Sequence, residues 1–108
     1  MAVLAVQQIA TSGLNPAFVA AAGGGDEFPN IGREFLEVIN GGGGSINVTL
    51  VTTGTVDGEP IADRVVAVPN GERRRIGPFP TGTYNAADGN VDVSYSGVTS
   101  VTVGVFRL

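Results

Sequence analysis

Val-Val-Ala-Val-Pro-Asn-Gly-Glu-Arg-Arg-Arg-Ile-Gly-Pro-Phe-Pro, residues Val65 to Pro80, is the stretch that decides the fold. An apolar run enters Pro69-Asn70-Gly71, and a second run leaves it carrying three consecutive arginines before it stops at Gly77-Pro78-Phe79-Pro80. Asn-Gly tolerates the positive φ values that tight hairpin turns require, so the stretch predicts a β-hairpin. It also holds Arg73, Arg74 and Arg75, half of the chain's six basic residues. Any account of function has to explain why those charges sit there.

The composition around this stretch points the same way. Valine and threonine dominate, and β-branched side chains suit a pleated sheet. Glycine makes up 17 of 108 residues, about double the usual share. Long helices are not expected. The length fits one domain with a single hydrophobic core.

What is missing narrows the function. The chain has no cysteine, histidine, tryptophan or lysine. Without cysteine there is no disulfide framework and no thiolate zinc site. Without histidine the commonest general base and metal ligand are gone. A net charge of −4 argues against sequence-independent nucleic-acid binding, which needs a cationic footprint. No apolar stretch is long enough to span a bilayer as a helix. Met1 to Val6 is apolar but has no basic residue before it, which argues against a signal peptide. A soluble protein of a reducing compartment, with neither nucleic-acid nor membrane partner, is the expectation.

Working outward, Ala2 to Ile9 reads as a first strand in which Val3, Ala5 and Ile9 bracket Gln7-Gln8, with residues 1–16 serving as an N-terminal arm or an edge strand. Ala17 to Ala22 is short and apolar and reads as a strand or a single helical turn, the strand being favoured by its β surroundings. Gly23 to Asn30 reads as a loop holding Asp26, Glu27 and Phe28. Arg33 to Asn40 is a strand that turns Leu36 and Val38 one way and Phe35, Glu37 and Ile39 the other, with apolar groups on both faces. Ile46, Val48 and Leu50 alternate with polar neighbours within Ser45 to Thr53, the cleanest half-buried strand. Gly54 to Pro60 is an exposed turn, and Thr81 to Asn90 a polar connection. Val91 to Ser96 and Thr99 to Leu108 complete the strands. Seven or eight short strands at roughly ten-residue spacing predict an all-β antiparallel sandwich or small barrel over residues 1–108, the sandwich being favoured. Exposed sheet edges then need protection against pairing with other chains.

Catalytic chemistry finds little support. The serines have no histidine or lysine to activate them, and the acidic residues lie mainly in turns with no aromatic platform for a sugar. A non-enzymatic protein without cofactors is expected. Asp88-Gly89-Asn90-Val91-Asp92 is similar to a calcium loop in its alternating oxygen ligands, but it lacks the distal glutamate, and Asp-Gly-Asn is also an ordinary turn. Arg73 and Arg75 share one face of their strand and Arg74 takes the other. Three readings stand open: edge protection, salt bridges to an acidic partner, or pairing within the chain to Glu34, Glu37 or Glu72. Phe35, Ile39 and Phe106 lie opposite the core positions, so they are candidate partner contacts, or else they are buried in the second face of the same domain.

A family resemblance rests on four segments: Val68 to Arg73 continuing through Ile76 to Pro80, Asp88 to Ser96, Val101 to Leu108, and Met1 to Ile9. Together they resemble small proteins of tailed-phage structural modules, and among these the capsid decoration, or cement, proteins. The resemblance implies a jelly-roll-like sandwich, often a homotrimer. It implies a protein of the virion, made in the host bacterial cytoplasm, that clamps neighbouring major capsid protein subunits on the outer surface of the head. It implies no catalytic residues. A head–tail connector or tail accessory protein, and a carbohydrate-binding or adhesin-like module, are the alternatives.

Overall fold

The computed structural model describes residues 2–108. Twelve strands follow in chain order: β1 Ala2–Val3, β2 Val6–Gln8, β3 Val19–Ala20, β4 Asp26–Pro29, β5 Glu34–Asn40, β6 Ile46–Leu50, β7 Thr55–Val56, β8 Glu59–Pro60, β9 Arg64–Val68, β10 Arg73–Ile76, β11 Asn90–Tyr95 and β12 Val101–Arg107. A single helical turn, α1 (Thr81–Tyr84), precedes β11. Sheet I has the order β1-β4-β11-β6-β9, and sheet II the order β10-β5-β12-β2 with β3 also on β12. The two pack face to face within an envelope of 40 × 36 × 20 Å, the thin dimension matching two layers about 10 Å apart. The all-β sandwich is as expected, but its sheets are mixed rather than wholly antiparallel, since β1 runs parallel to β4 and β2 parallel to β12. Its strand order does not spell out the successive Greek keys of a jelly roll.

Valine fills the space between the sheets. Val48, Val68, Val91 and Val93 of sheet I meet Val38, Val101, Val103 and Val105 of sheet II, with Phe28, Leu36, Leu50 and Phe79 as the larger buried side chains. All but Phe79, which comes from the connection after β10, lie on the inward face of a strand, and in β5, β6, β11 and β12 the period-two pattern located them.

The stretch from Val65 to Pro80 is not a hairpin. β9 lies at the edge of sheet I and β10 at the edge of sheet II, so the chain arches across the sandwich between them. The turn is present, with Glu72 N donating to Pro69 O at 3.1 Å. Gly71 takes φ 79°, while Asn70 is not among the positive-φ residues. A type I′ hairpin turn needs positive φ at both central residues, so this turn does not twist its two arms into one ladder. Asp57-Gly58 does meet that requirement, with φ 51° and 80°, and there β7 and β8 do form a tight hairpin.

Asn40, the last residue of β5, fixes the arch. Its Nδ2 donates to Val68 O at 2.9 Å, across to sheet I, and to Gly44 O at 2.8 Å. Its Oδ1 accepts from Gly42 N at 3.0 Å. Its backbone N donates to Glu72 O and its O accepts from Gly71 N, at 2.9 and 2.8 Å. Both arms of the turn are therefore held by one buried residue. At the other end of β5, Asn30 and Asn85 bond reciprocally, Asn30 Nδ2 to Asn85 Oδ1 at 2.7 Å and Asn85 Nδ2 to Asn30 O at 2.9 Å. Among the seven strands of four residues or more, every connection but that from β6 to β9 crosses between sheets. Ties at both ends of the sandwich hold those crossings in place.

Two further readings change. Gly23 to Asn30 contains β4, an inner strand of sheet I flanked by β1 and β11, with Asp26 and Phe28 facing the core. Aspartate and proline are depleted in strands, which hid the alternation. The first strand splits, β1 running parallel to β4 and β2 parallel to β12, so the N-terminal segment is an edge strand shared by both sheets. Leu4 and Val6 point inward rather than Val3 and Ala5.

Replacing Asn40 by alanine strands two carbonyls that were hydrogen-bonded, and is expected to cost about 2–3 kcal/mol of stability. Urea denaturation measures this. A midpoint equal to the parent's shows that the arch holds without its tie.

Candidate functional site

Arg73 and Arg75 of β10 land on the outer face of sheet II because β10 pairs with β5 in the register Arg73↔Ile39, Arg74↔Val38, Arg75↔Glu37. Glu37 points outward from β5, yet its side chain is only 5% exposed. Arg73 Nη1 donates to Glu37 Oε2 and Arg75 Nε to Glu37 Oε1, each at 2.9 Å. The arginines themselves remain 58% and 67% exposed. Arg74 turns the other way and donates to Glu72 Oε1 at 2.8 Å. Pairing within the chain therefore accounts for all three, on what is also an edge strand of the sheet. Arg73 and Arg75 are first the counter-charges of a buried carboxylate. Removing them leaves Glu37 buried and unpaired, a change that costs stability before it touches any partner.

Beside this pair runs an aromatic row. Phe35 stacks on Phe106 with centroids 5.4 Å apart, and Phe18 meets Phe106 edge-on at 5.7 Å. Phe18 arrives there because the Gln7 side chain grips Ala17 as a strand neighbour would: Nε2 donates to Ala17 O and Ala17 N donates to Oε1, both at 2.8 Å. Gly104 makes room for this approach, since a Cβ there would sit 3.0 Å from Ala17 O and 3.1 Å from the Phe106 ring. Phe106 is thus buried within its own domain and offers no surface to a partner. Phe35 and Ile39 are half-buried on the same face.

Phe35 floors an open groove of about 450 Å³ lined by Gly32, Arg33, Glu34, Phe35, Arg75, Gly77, Pro78 and Leu108, the Glu34 carboxylate being fully buried and already paired with Arg107. Leu108 is 68% exposed, and its backbone N donates to Arg33 O at 3.3 Å. Arg33 is exposed and has no ion-pair partner among the described residues. A smaller hollow of about 340 Å³ adjoins it across Phe35 and Arg75, walled by Ile9, Leu14 and Pro16. The combination is an apolar floor with a cationic rim on a chain of net negative charge. Arg33, Pro78 and Leu108 were not singled out from the sequence, because a groove made of a strand start, a loop and a chain end has no local pattern.

Several further ionisable groups are engaged within the sandwich or along its strands. Glu34 is fully buried; its Oε1 accepts from Ile31 N and Arg33 N at 2.9 and 3.1 Å, and Arg107 Nε donates to its Oε2. Burial alone raises this carboxyl, but the two backbone donors and the guanidinium outweigh it and hold it below its ordinary value. Tyr95 Oη donates to Asp26 Oδ2 at 2.7 Å, and burial, then that bond and the adjoining charge, push the phenol far above its usual range. Asp26 Oδ1 is buried without a partner. Asp92 faces Glu27 across β11 and β4, and burial, Glu27 and Asp88 together raise its carboxyl. Asp88 Oδ1 accepts from Asn90 N at 3.0 Å, and Asn90 Nδ2 donates to Glu27 at 2.8 Å, so the Asp88–Asp92 segment has the bonds of a turn entering a strand.

Comparison with protein-family models, with curated proteins and with solved structures finds no match.

Because the Glu34 carboxyl lies lower in the folded state than its ordinary 4.5, its contribution is complete above that value and is lost as pH falls through the folded one. Glu34→Gln leaves Arg107 without its charge partner and is expected to cost about 3 kcal/mol at neutral pH, with a shallower loss of stability on acidification. Thermal melts between neutral and acid pH test both. The sign is opposite at Asp92, whose raised carboxyl costs stability when ionised. Asp92→Asn is expected to gain about 0.2–1 kcal/mol at neutral pH, the gain vanishing once the parent's carboxyl is protonated.

Proposed function

We propose that this protein is a non-enzymatic structural component of a phage virion, a decoration protein that binds the outer surface of the head and clamps neighbouring major capsid protein subunits. The observation that carries the reading is the pairing, on one cross-tied sandwich, of a bare projecting hairpin (β7–β8) with an open apolar groove at Phe35. A clamp has to touch more than one neighbour at once, and a rigid body with separate contact features on different sides can do so. The segments that resemble cement proteins supply the identity of the neighbour.

Supporting features are physical. Sheet edges are short at β1, β2 and β3 and charged at β10, which suits a protein that must stay soluble at high concentration before it assembles. Interfaces of this kind draw their energy from a few well-seated apolar and arginine contacts rather than from total area. Phe35, Pro78, Leu108, Arg33 and Arg75 are of those residue types.

Sedimentation of expanded, undecorated heads of the cognate phage with the purified protein tests the reading. The protein is expected to pellet with the heads at a fixed ratio to the major capsid protein, and to delay their disruption by heat. Protein left wholly in the supernatant at micromolar concentration overturns it.

A further inference from the structure

β7 and β8 pair with each other and with no other strand, and all six residues from Thr55 to Pro60 are exposed. Two-stranded hairpins are marginal by themselves in water, yet this one is held at its base. Thr53 N and Gly54 N donate to Thr83 O at 2.8 and 3.1 Å, and Thr52 N donates to Asp63 Oδ1 at 2.9 Å. Gly54 packs so closely on α1 that a Cβ would lie 2.7 Å from Gly82 O. The type I′ turn at Asp57-Gly58 presets the tip. A firm base, a preset turn and an unsupported tip describe a tongue, and its ordering cost is already met before it contacts anything.

The tip has a definite chemistry. Val56 is 62% exposed and sits between Thr55 and Asp57, with Glu59 directly across the hairpin from it. That is one apolar knob with two carboxylates. The groove at Phe35 is the complement: apolar walls from Phe35, Pro78 and Leu108, and a rim of Arg33, unpaired, and Arg75, which commits only its Nε to Glu37. Within a chain of net charge −4 this pair of guanidinium groups is a local reversal of sign, and it will draw an acidic segment. The tongue joins β6 to β9 in sheet I, whereas the groove opens on the outer face of sheet II, so a copy has one of each on different sides.

We infer that the tongue of one copy seats in the Phe35 groove of the next, with Val56 on the apolar floor and Asp57 and Glu59 on Arg33 and Arg75. The contact is head-to-tail, using two different surfaces, so it propagates from copy to copy until a ring closes. It draws on the same two surfaces as the capsid reading, here as contacts between copies of the chain, and the experiments below use the protein without heads, so that its failure is distinguishable from a failure of that reading.

The chain has no cysteine, so introduced thiols report one contact each. Full-length Val56→Cys and Leu108→Cys proteins, mixed and oxidised, are expected to give the mixed disulfide in excess over either symmetric one. An excess of the Val56→Cys symmetric dimer means that tongues meet tongues and overturns the proposal. Sedimentation equilibrium at low salt supplies the second arm. Arg33→Glu alone and Glu59→Arg alone are each expected to weaken self-association roughly three- to tenfold, and the two changes combined to restore it. A parent chain that stays monomeric up to roughly millimolar concentration, or an oligomer indifferent to both single changes, also overturns it.

Discussion

One buried amide holds the arrangement on which everything else depends. Asn40 donates from sheet II to Val68 O in sheet I and grips the backbone on both sides of the Pro69–Glu72 turn. An unmade bond at such a site costs more than a made one gains, so the arch between β9 and β10 has one well-defined path. That path sets β10 antiparallel to β5 in the register that brings Arg73 and Arg75 onto Glu37. Had the same stretch closed as a hairpin, the arginines would lie on sheet I and Glu37 would be a buried charge without a partner. The constraint is local, but it decides which charges meet.

How far the sequence could be read follows from the same point. Period-two alternation located the inward residues of β5, β6, β11 and β12, because each strand carries its own evidence of which face is dry. It placed Phe35, Glu37 and Ile39 opposite the core correctly. What alternation cannot report is which sheet a strand joins. Asn-Gly at 70–71 and Asp-Gly at 57–58 look alike as turn dipeptides, yet only the second has both central residues at positive φ. The difference lies in the tie to Asn40, thirty residues away in the chain. Asp26 hid β4 for a related reason: its buried carboxylate is held by Tyr95 of the neighbouring β11, far along the chain, and by Ala22 N. Of the groove, only Phe35 and Arg75 stood out in the sequence; Arg33, Pro78 and Leu108, which complete it, are joined by no local pattern.

The contrast between interior and surface frames the functional reading. Inside, the carboxylates of Glu34 and Glu37 are matched by arginines, Asn40 ties one sheet to the other, and Asn30 and Asn85 tie two of the connecting segments together. Outside, a preset hairpin tip and an apolar groove are left without partners of their own. A scaffold that is firmly cross-tied and presents a preset tip and an open groove is suited to assembly, where contacts must repeat identically from copy to copy. Preorganisation on this scale serves binding by reducing what must be ordered at the moment of contact.

The proposal that this assembly is the outer decoration of a phage head is tested most directly by electron microscopy of heads saturated with the protein. The account predicts added density repeated over the whole shell, at equivalent positions between neighbouring capsid subunits. Density confined to a single vertex, as a connector would give, or no added density at all, would contradict it.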